Sequence, residues 1–240
     1  MPGAIPIVAL DTSSGTDALA LARSLGDSCG YYKVGSELFV AEGPAIVHAL
    51  RDELGADVFL DLKFHDIPNT VAGAVRSAVA LGVRLLTVHA SGGRAMLEAA
   101  REAAGSGCGV LGVTVLTSFD DGSLARTWGR SSVRVEEEVM RLAEDAVTAG
   151  LHGIVCGGAE AAAVTRAHGE RLALLVPGIR MAGGMSHDQR RVMTPGAAQA
   201  AGARYLILGR AVSDAGDPRV AMAAVLADLE GSASASSGQG

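Results

Sequence analysis

Eight short apolar runs, rich in β-branched residues, recur along this 240-residue chain with Ala-rich amphipathic stretches between them. This is the pattern of repeated βα units: a strand buried on both faces reads as a continuous apolar run, and its crossover helix as a 3.6-residue periodicity. The strands are expected at 5–11 (IPIVALD), 31–35 (YYKVG), 58–64 (VFLDLKF), 85–91 (LLTVHAS), 110–116 (VLGVTVL), 153–158 (GIVCGG), 172–179 (LALLVPGI) and 205–210 (YLILGR). Helical patterns such as TDALALARSLG, NTVAGAVRSAVALG and VEEEVMRLAEDAVTAG fill the gaps, several closed by a glycine suited to a left-handed cap. Eight such units predict an α/β fold, a single-domain (β/α)8 TIM barrel over 1–230. An open doubly wound sheet is the competing layout, but no GxGxxG follows the first strand. The last ten residues, GSASASSGQG, are small and polar and read as a disordered tail over 231–240.

Composition narrows the function classes. A formal charge of -6 with 3% aromatic residues argues against a nucleic-acid binder, which needs a basic face and stacking rings. Any anionic ligand must therefore be held by local groups. Cys29, Cys108 and Cys156 are far apart with no CxxC or Cys/His ligand spacing, so a reduced, cytoplasmic setting is expected rather than a disulfide framework or structural zinc. No basic stretch precedes an apolar segment at the start, and no apolar run has spanning length, so neither export nor membrane attachment is expected.

In a barrel of this kind the active site lies at the C-terminal ends of the strands, and here those ends are polar. The first closes at Asp11, the second carries Lys33, the third Asp61 and Lys63, the fourth His89 and Ser91, and the fifth leads to Thr117 and Ser118. Asp61 and Lys63, two apart on a strand, are expected to share the inward face while Leu60 and Leu62 pack outward. One surface ion pair is the plain alternative, worth about 0 to 1 kcal/mol. However, Asp11 and Lys33 occupy matching positions on neighbouring strands, which implies a cluster of alternating sign. Desolvating such a cluster for stability alone is unfavourable, so it points to a site.

Arg180 in PGIR and Arg210 in ILGRAVSDAGDP follow the seventh and eighth strands, where barrels of this class hold phosphate. Two readings stay open for each: a phosphate clamp, or a tie between loops and nearby carboxylates. His65 beside Asp66 has no further ligands at metal-binding spacing and reads as a loop histidine with a structural hydrogen bond. His89 reads as a hydrogen-bonded interior residue.

Set out as D-x-K-x-x-D-I-P-x-T, residues Asp61, Lys63, Asp66 and Thr70 resemble the orotidine 5'-phosphate decarboxylase family. VALD, KVG, VHASGG, VTVLTS, PGIR with DQRRVMTP, and LGR with DP follow in that family's order over nearly the whole chain. The resemblance implies cofactor-independent decarboxylation of orotidine 5'-phosphate to uridine 5'-phosphate, the last step of de novo pyrimidine biosynthesis, with no metal or organic cofactor. It implies that Lys63 is the proton donor within a network of Lys33, Asp61, Lys63 and Asp66. Asp11 and Lys33 would hold the ribose hydroxyls, Thr117 would face the pyrimidine, and Pro177 would line the site. Arg180, Gln189, Gly209 and Arg210 would bind the phosphate end, with 181–188 as a closing loop. A homodimer is implied, Asp66 and Thr70 reaching into the neighbouring subunit's site. Two alternatives remain: a magnesium-dependent sugar-phosphate decarboxylase or aldolase sharing the Asp-x-Lys-x-x-Asp strand, and a non-catalytic barrel that binds a nucleotide phosphate.

Overall fold

The computed structural model describes residues 3–181 and 193–237, with side chains to 233. Gln189 and most of the expected closing loop lie outside the described residues. Within them, eight parallel strands close into a barrel in sequence order: β1 (Ile5–Ala9), β2 (Tyr31–Gly35), β3 (Asp57–Phe64), β4 (Leu85–His89), β5 (Gly109–Val113), β6 (Gly153–Val155), β7 (Ala173–Val176) and β8 (Ala203–Leu208). The barrel closes through Ile5 to Val8 of β1 paired with Tyr205 to Leu208 of β8.

Side-chain alternation divides the apolar core into two compartments. Odd-numbered residues such as Ile7, Ala9, Phe59, Leu85, Leu111, Leu175 and Ile207 fill the lumen. Even-numbered neighbours such as Val8, Val58, Leu60, Leu86, Val110 and Leu206 pack outward in the layer beneath the helices. Strands buried on both faces cannot alternate apolar with polar, hence the unbroken apolar runs.

Most of the expected strands run too long at the C-terminal end. Asp11, Thr117 and Arg180 lie beyond the strands because the chain leaves the ladder there to form the mouth. At β7 the cause is local: Pro177 has no N–H to donate, and the strand stops at Val176.

Two further differences concern helices. The stretch after β5, for which no element was expected, contains a helix at Asp121–Thr127, started by a reciprocal cap in which Asp120 Oδ1 accepts from Ser123 N at 2.8 Å and Ser123 Oγ from Asp120 N at 3.0 Å. The final helix, Pro218–Ser237, runs through seven of the ten residues read as a disordered tail. Its start is capped by Asp217 Oδ1, which accepts from Arg219 N at 2.9 Å. On either side of residue 230, Gln199 Nε2 donates to Leu229 O at 2.9 Å and to Ser232 Oγ at 2.6 Å. That tertiary anchor supplies what the weak local propensity of GSASASS lacks.

Candidate active site

The distinctive local geometry lies on β3. Its pairing with β4 runs Leu60↔Leu86 and then Phe64↔Val88, so four steps on β3 pass two on β4. The excess is taken up around Lys63, whose φ of 51° makes it the one non-glycine residue in the left-handed region among the described residues. Such conformations persist only where the surroundings enforce them, and they gather at functional sites. Asp61 and Lys63 do turn to the same side, as expected, but through this bulge rather than plain alternation.

The side chains at the mouth form a chain of opposed charges. Lys33 Nζ lies 2.7 Å from Asp11 Oδ1 and 4.0 Å from Asp61 Oδ2. Lys63 Nζ donates to both oxygens of Asp61 at 2.9 Å. The side chains of Lys33 and Asp61 are only 10% and 13% exposed, whereas Asp11 and Lys63 reach towards solvent at 59% and 37%. The inner pair is thus held away from water while the outer groups face an incoming ligand. Gly35, paired with Asp61 across β2 and β3, leaves room for the Lys33 ammonium: a Cβ there would sit 2.9 Å from Nζ.

Of the residues expected at the site, Asp11, Lys33, Asp61, Lys63, Thr117 and Pro177 line one cleft of roughly 250 Å³. Asp66, Thr70, Arg180, Gly209 and Arg210 are not among the residues that line it. Asp66 is exposed, its Oδ1 accepting from Ile67 N at 2.6 Å, and Thr70 is exposed on the helix that follows. Arg180 hydrogen-bonds Ile179 O through Nη1 at 3.3 Å, and exposed Arg210 opens the helix Arg210–Ser213. Gly209, the residue before it, borders the cluster, since a Cβ there would lie 3.8 Å from Asp11 Oδ2.

A larger cavity of about 510 Å³ opens at the N-terminal end of the barrel, among Tyr31, Asp57, Arg84, Cys108, His152 and Tyr205. It lacks the alternating array: Arg84 is paired with Asp57 at 2.9 Å, and His152 Nε2 bonds the Tyr205 hydroxyl at 3.0 Å. Features at this end of a barrel serve stability, so the smaller cleft is the active-site candidate.

Sequence reasoning missed Thr87. It is wholly buried on β4, accepts from Lys63 N at 2.9 Å and donates to Asp61 Oδ1 at 2.9 Å. Its signal was a lone hydroxyl inside the apolar run LLTVH, at the inward parity. His65 and His89 form a tilted ring pair with centroids 5.3 Å apart beside the array. Burial lowers the His89 pKa, the neighbouring His65 and Lys63 lower it further, and Asp61 opposes them. Among the described residues, no three His, Cys, Asp or Glu side chains are grouped as a metal ion would need.

Residues 5–225 match the family described as "Orotidine 5'-phosphate decarboxylase / HUMPS family". The chain is similar to the orotidine 5'-phosphate decarboxylase of Laribacter hongkongensis, 49% identical over 227 residues that cover 93% of this chain and 92% of that one. It is 51% identical over 221 residues to the enzyme of that name from Anaeromyxobacter sp. (strain K), covering 92% and 96%. Among solved structures, orotidine 5'-phosphate decarboxylase from Lactobacillus acidophilus superposes with a TM-score of 0.83 at 32% identity, over 95% of this chain and 99% of that one.

Proposed function

The chain belongs to the orotidine 5'-phosphate decarboxylase / HUMPS family, and from that premise we infer that it converts orotidine 5'-phosphate to uridine 5'-phosphate and carbon dioxide. This is the last step of de novo pyrimidine biosynthesis, and the enzyme is a carboxy-lyase. What favours this reading over the sugar-phosphate alternative is that relatives about half identical, aligned over more than nine-tenths of the chain, bear the name orotidine 5'-phosphate decarboxylase.

The chemistry explains the charges. Breaking the bond to the departing carboxylate leaves an electron pair on an sp² ring carbon with no adjacent carbonyl to delocalise it. A positive charge already in place stabilises that pair without reorganisation cost. Lys63 supplies this charge and then transfers a proton to the carbon, ending as an amine that solvent reprotonates. The observation that carries this reading is the two-oxygen grip of Asp61 on Lys63 Nζ, continued by Lys33 and Asp11.

No metal or organic cofactor enters this scheme. Asp11 and Lys33 bind the ribose hydroxyls, Thr117 and Pro177 flank the pyrimidine, and Arg180, Gln189, Gly209 and Arg210 take the phosphate. The barrier reduction required, about 20 kcal/mol, exceeds what one lysine supplies. Binding energy from the remote phosphate contributes the remainder by organising the site.

The test is the loss of orotidine 5'-phosphate absorbance in excess chelator, with Lys63→Ala alongside. Prompt turnover by the parent and none by the variant is expected. Turnover that needs added magnesium, or that survives Lys63→Ala, refutes the scheme.

The array is completed by a second copy of the chain. Asp66 and Thr70 are exposed around Ile67, itself 67% exposed, a polar–apolar–polar surface suited to a subunit contact. In a homodimer they enter the partner's cleft. Mixing inactive Lys63→Ala with inactive Asp66→Asn and allowing exchange then rebuilds one intact site per mixed dimer, returning roughly a quarter of parent activity. No recovery despite verified exchange refutes a shared site. The described residues contain no helix long and apolar enough to cross a membrane, and three buried cysteines far apart in sequence suit a reducing cytoplasm.

A further inference from the structure

We propose that Thr87 is a positioning residue for the proton donor, clamping the main chain of Lys63 and the carboxylate of Asp61 in one unit. The inference rests on the reading of Lys63 as that donor.

Hydrogen-bond directions at the Thr87 hydroxyl follow from the chemistry of its partners. The Lys63 amide can only donate, so Thr87 Oγ1 accepts from it at 2.9 Å. An ionised Asp61 can only accept, so the single Thr87 proton goes to Oδ1, also at 2.9 Å. Both oxygens of Asp61 in turn receive Lys63 Nζ. A closed ring results, running from the Lys63 amide through Thr87 and Asp61 back to the Lys63 ammonium. The two ends of one residue are tied to each other through its neighbours.

The bulge explains why a hydroxyl is needed. In a regular strand the Lys63 amide would turn towards β2, as that of Asp57 does in donating to Gly30 O, but β2 ends at Gly35, and the register slip between Leu60 and Phe64 turns this amide to the β4 side, where it meets the Thr87 hydroxyl instead of a backbone carbonyl. An amide left unsatisfied there would favour sliding back into register, which would take Lys63 out of its left-handed conformation and off the cleft. Thr87, with no exposed surface, takes the carbonyl's place from the side-chain layer. It does not itself line the cleft, so it acts through Lys63 and Asp61 and not on substrate.

Thr87→Val removes the hydroxyl and keeps the shape; Thr87→Ser keeps the hydroxyl; Thr87→Cys keeps a small side chain with poor hydrogen bonding. Each is checked for folding by thermal melt, then assayed for kcat and KM with orotidine 5'-phosphate and for uridine 5'-phosphate affinity. Misplacing a catalytic group by an ångström costs on the order of 10²-fold, so kcat is expected to fall about that much in Thr87→Val and Thr87→Cys. KM and product affinity should stay within about threefold, and Thr87→Ser should recover most of kcat. If Thr87→Val does not fold, the comparison of Thr87→Ser with Thr87→Cys decides. The clamp is overturned by an unchanged kcat in Thr87→Val or Thr87→Cys, by a Thr87→Ser as slow as either, or by product affinity that falls in step with kcat. A parent protein that does not decarboxylate overturns instead the reading of the site on which the clamp rests.

Discussion

Replacing Gly35 with alanine should separate activity from stability. Gly35 has φ -89° and ψ -179°, an extended conformation open to any residue, so alanine adds no backbone strain. The added carbon would lie 2.9 Å from Lys33 Nζ and 3.7 Å from Asp11 Oδ1, with the first contact well inside van der Waals range. The obstructing atom is the end of a flexible side chain, so the ammonium yields by about half an ångström rather than the strand. That movement stretches the 2.7 Å bond to Asp11 and the 4.0 Å approach to Asp61. A hydrogen bond between charged groups contributes about 1.5–3 kcal/mol, which at 1.36 kcal/mol per decade corresponds to a loss of roughly 10- to 10²-fold in kcat/KM. Stability should hold or rise slightly, since alanine in an extended position lowers unfolded-state entropy by about 0.4–1 kcal/mol. The assay pairs absorbance progress curves with thermal melts. A kcat/KM within twofold of the parent would show that the position of the Lys33 ammonium does not matter to the reaction, and a large fall in melting temperature would show that the strand, not the lysine, gave way.

Gly153 is a contrasting case: a Cβ there would sit 2.0 Å from Ala173 O, a backbone atom that cannot swing aside. Gly153→Ala should cost about 1–3 kcal/mol or more in urea unfolding, and a variant as stable as the parent refutes the close approach of β6 and β7. Burial lowers the His89 and His152 pKa values, with His65, Lys63 and Arg204 adding to it, so the unfolded chain binds their protons more readily than the folded one. Their contribution to stability is therefore complete above the ordinary histidine value of about 6.5 and is lost as the pH falls below it. Melts between pH 8 and 5 should show a decline that His152→Gln makes shallower; identical slopes in the two proteins would rule out His152 as a source.

Much of the site was legible because strand ends are local features. Asp11, Lys33, Asp61 and Lys63 each close or follow an apolar run, and parity alone aims Lys33 and Asp61 inward. Thr117, which follows the fifth run, and Pro177, named only through family likeness, also line the cleft. Arg180 and Arg210 were legible as positions after β7 and β8, but where a long side chain points depends on loops whose packing has no short-range signature. Asp66 and Thr70, named from the family resemblance, are exposed on the surface of the single chain.

What the amino-acid sequence determined by itself is the repeating unit: eight apolar runs and the helical periods between them reflect two short-range periodicities that any window of residues displays. It also determined which titratable groups stand at the strand ends. Tertiary structure alone decided the slip of β3 against β4, the left-handed turn at Lys63 and the hydroxyl of Thr87 that meets it. It likewise decided that Gly35 leaves space for an ammonium from its own strand, and that Gln199 holds the last helix beyond residue 230. These depend on which strand or helix lies alongside at which height, a relation between segments distant in sequence that closure of the barrel creates.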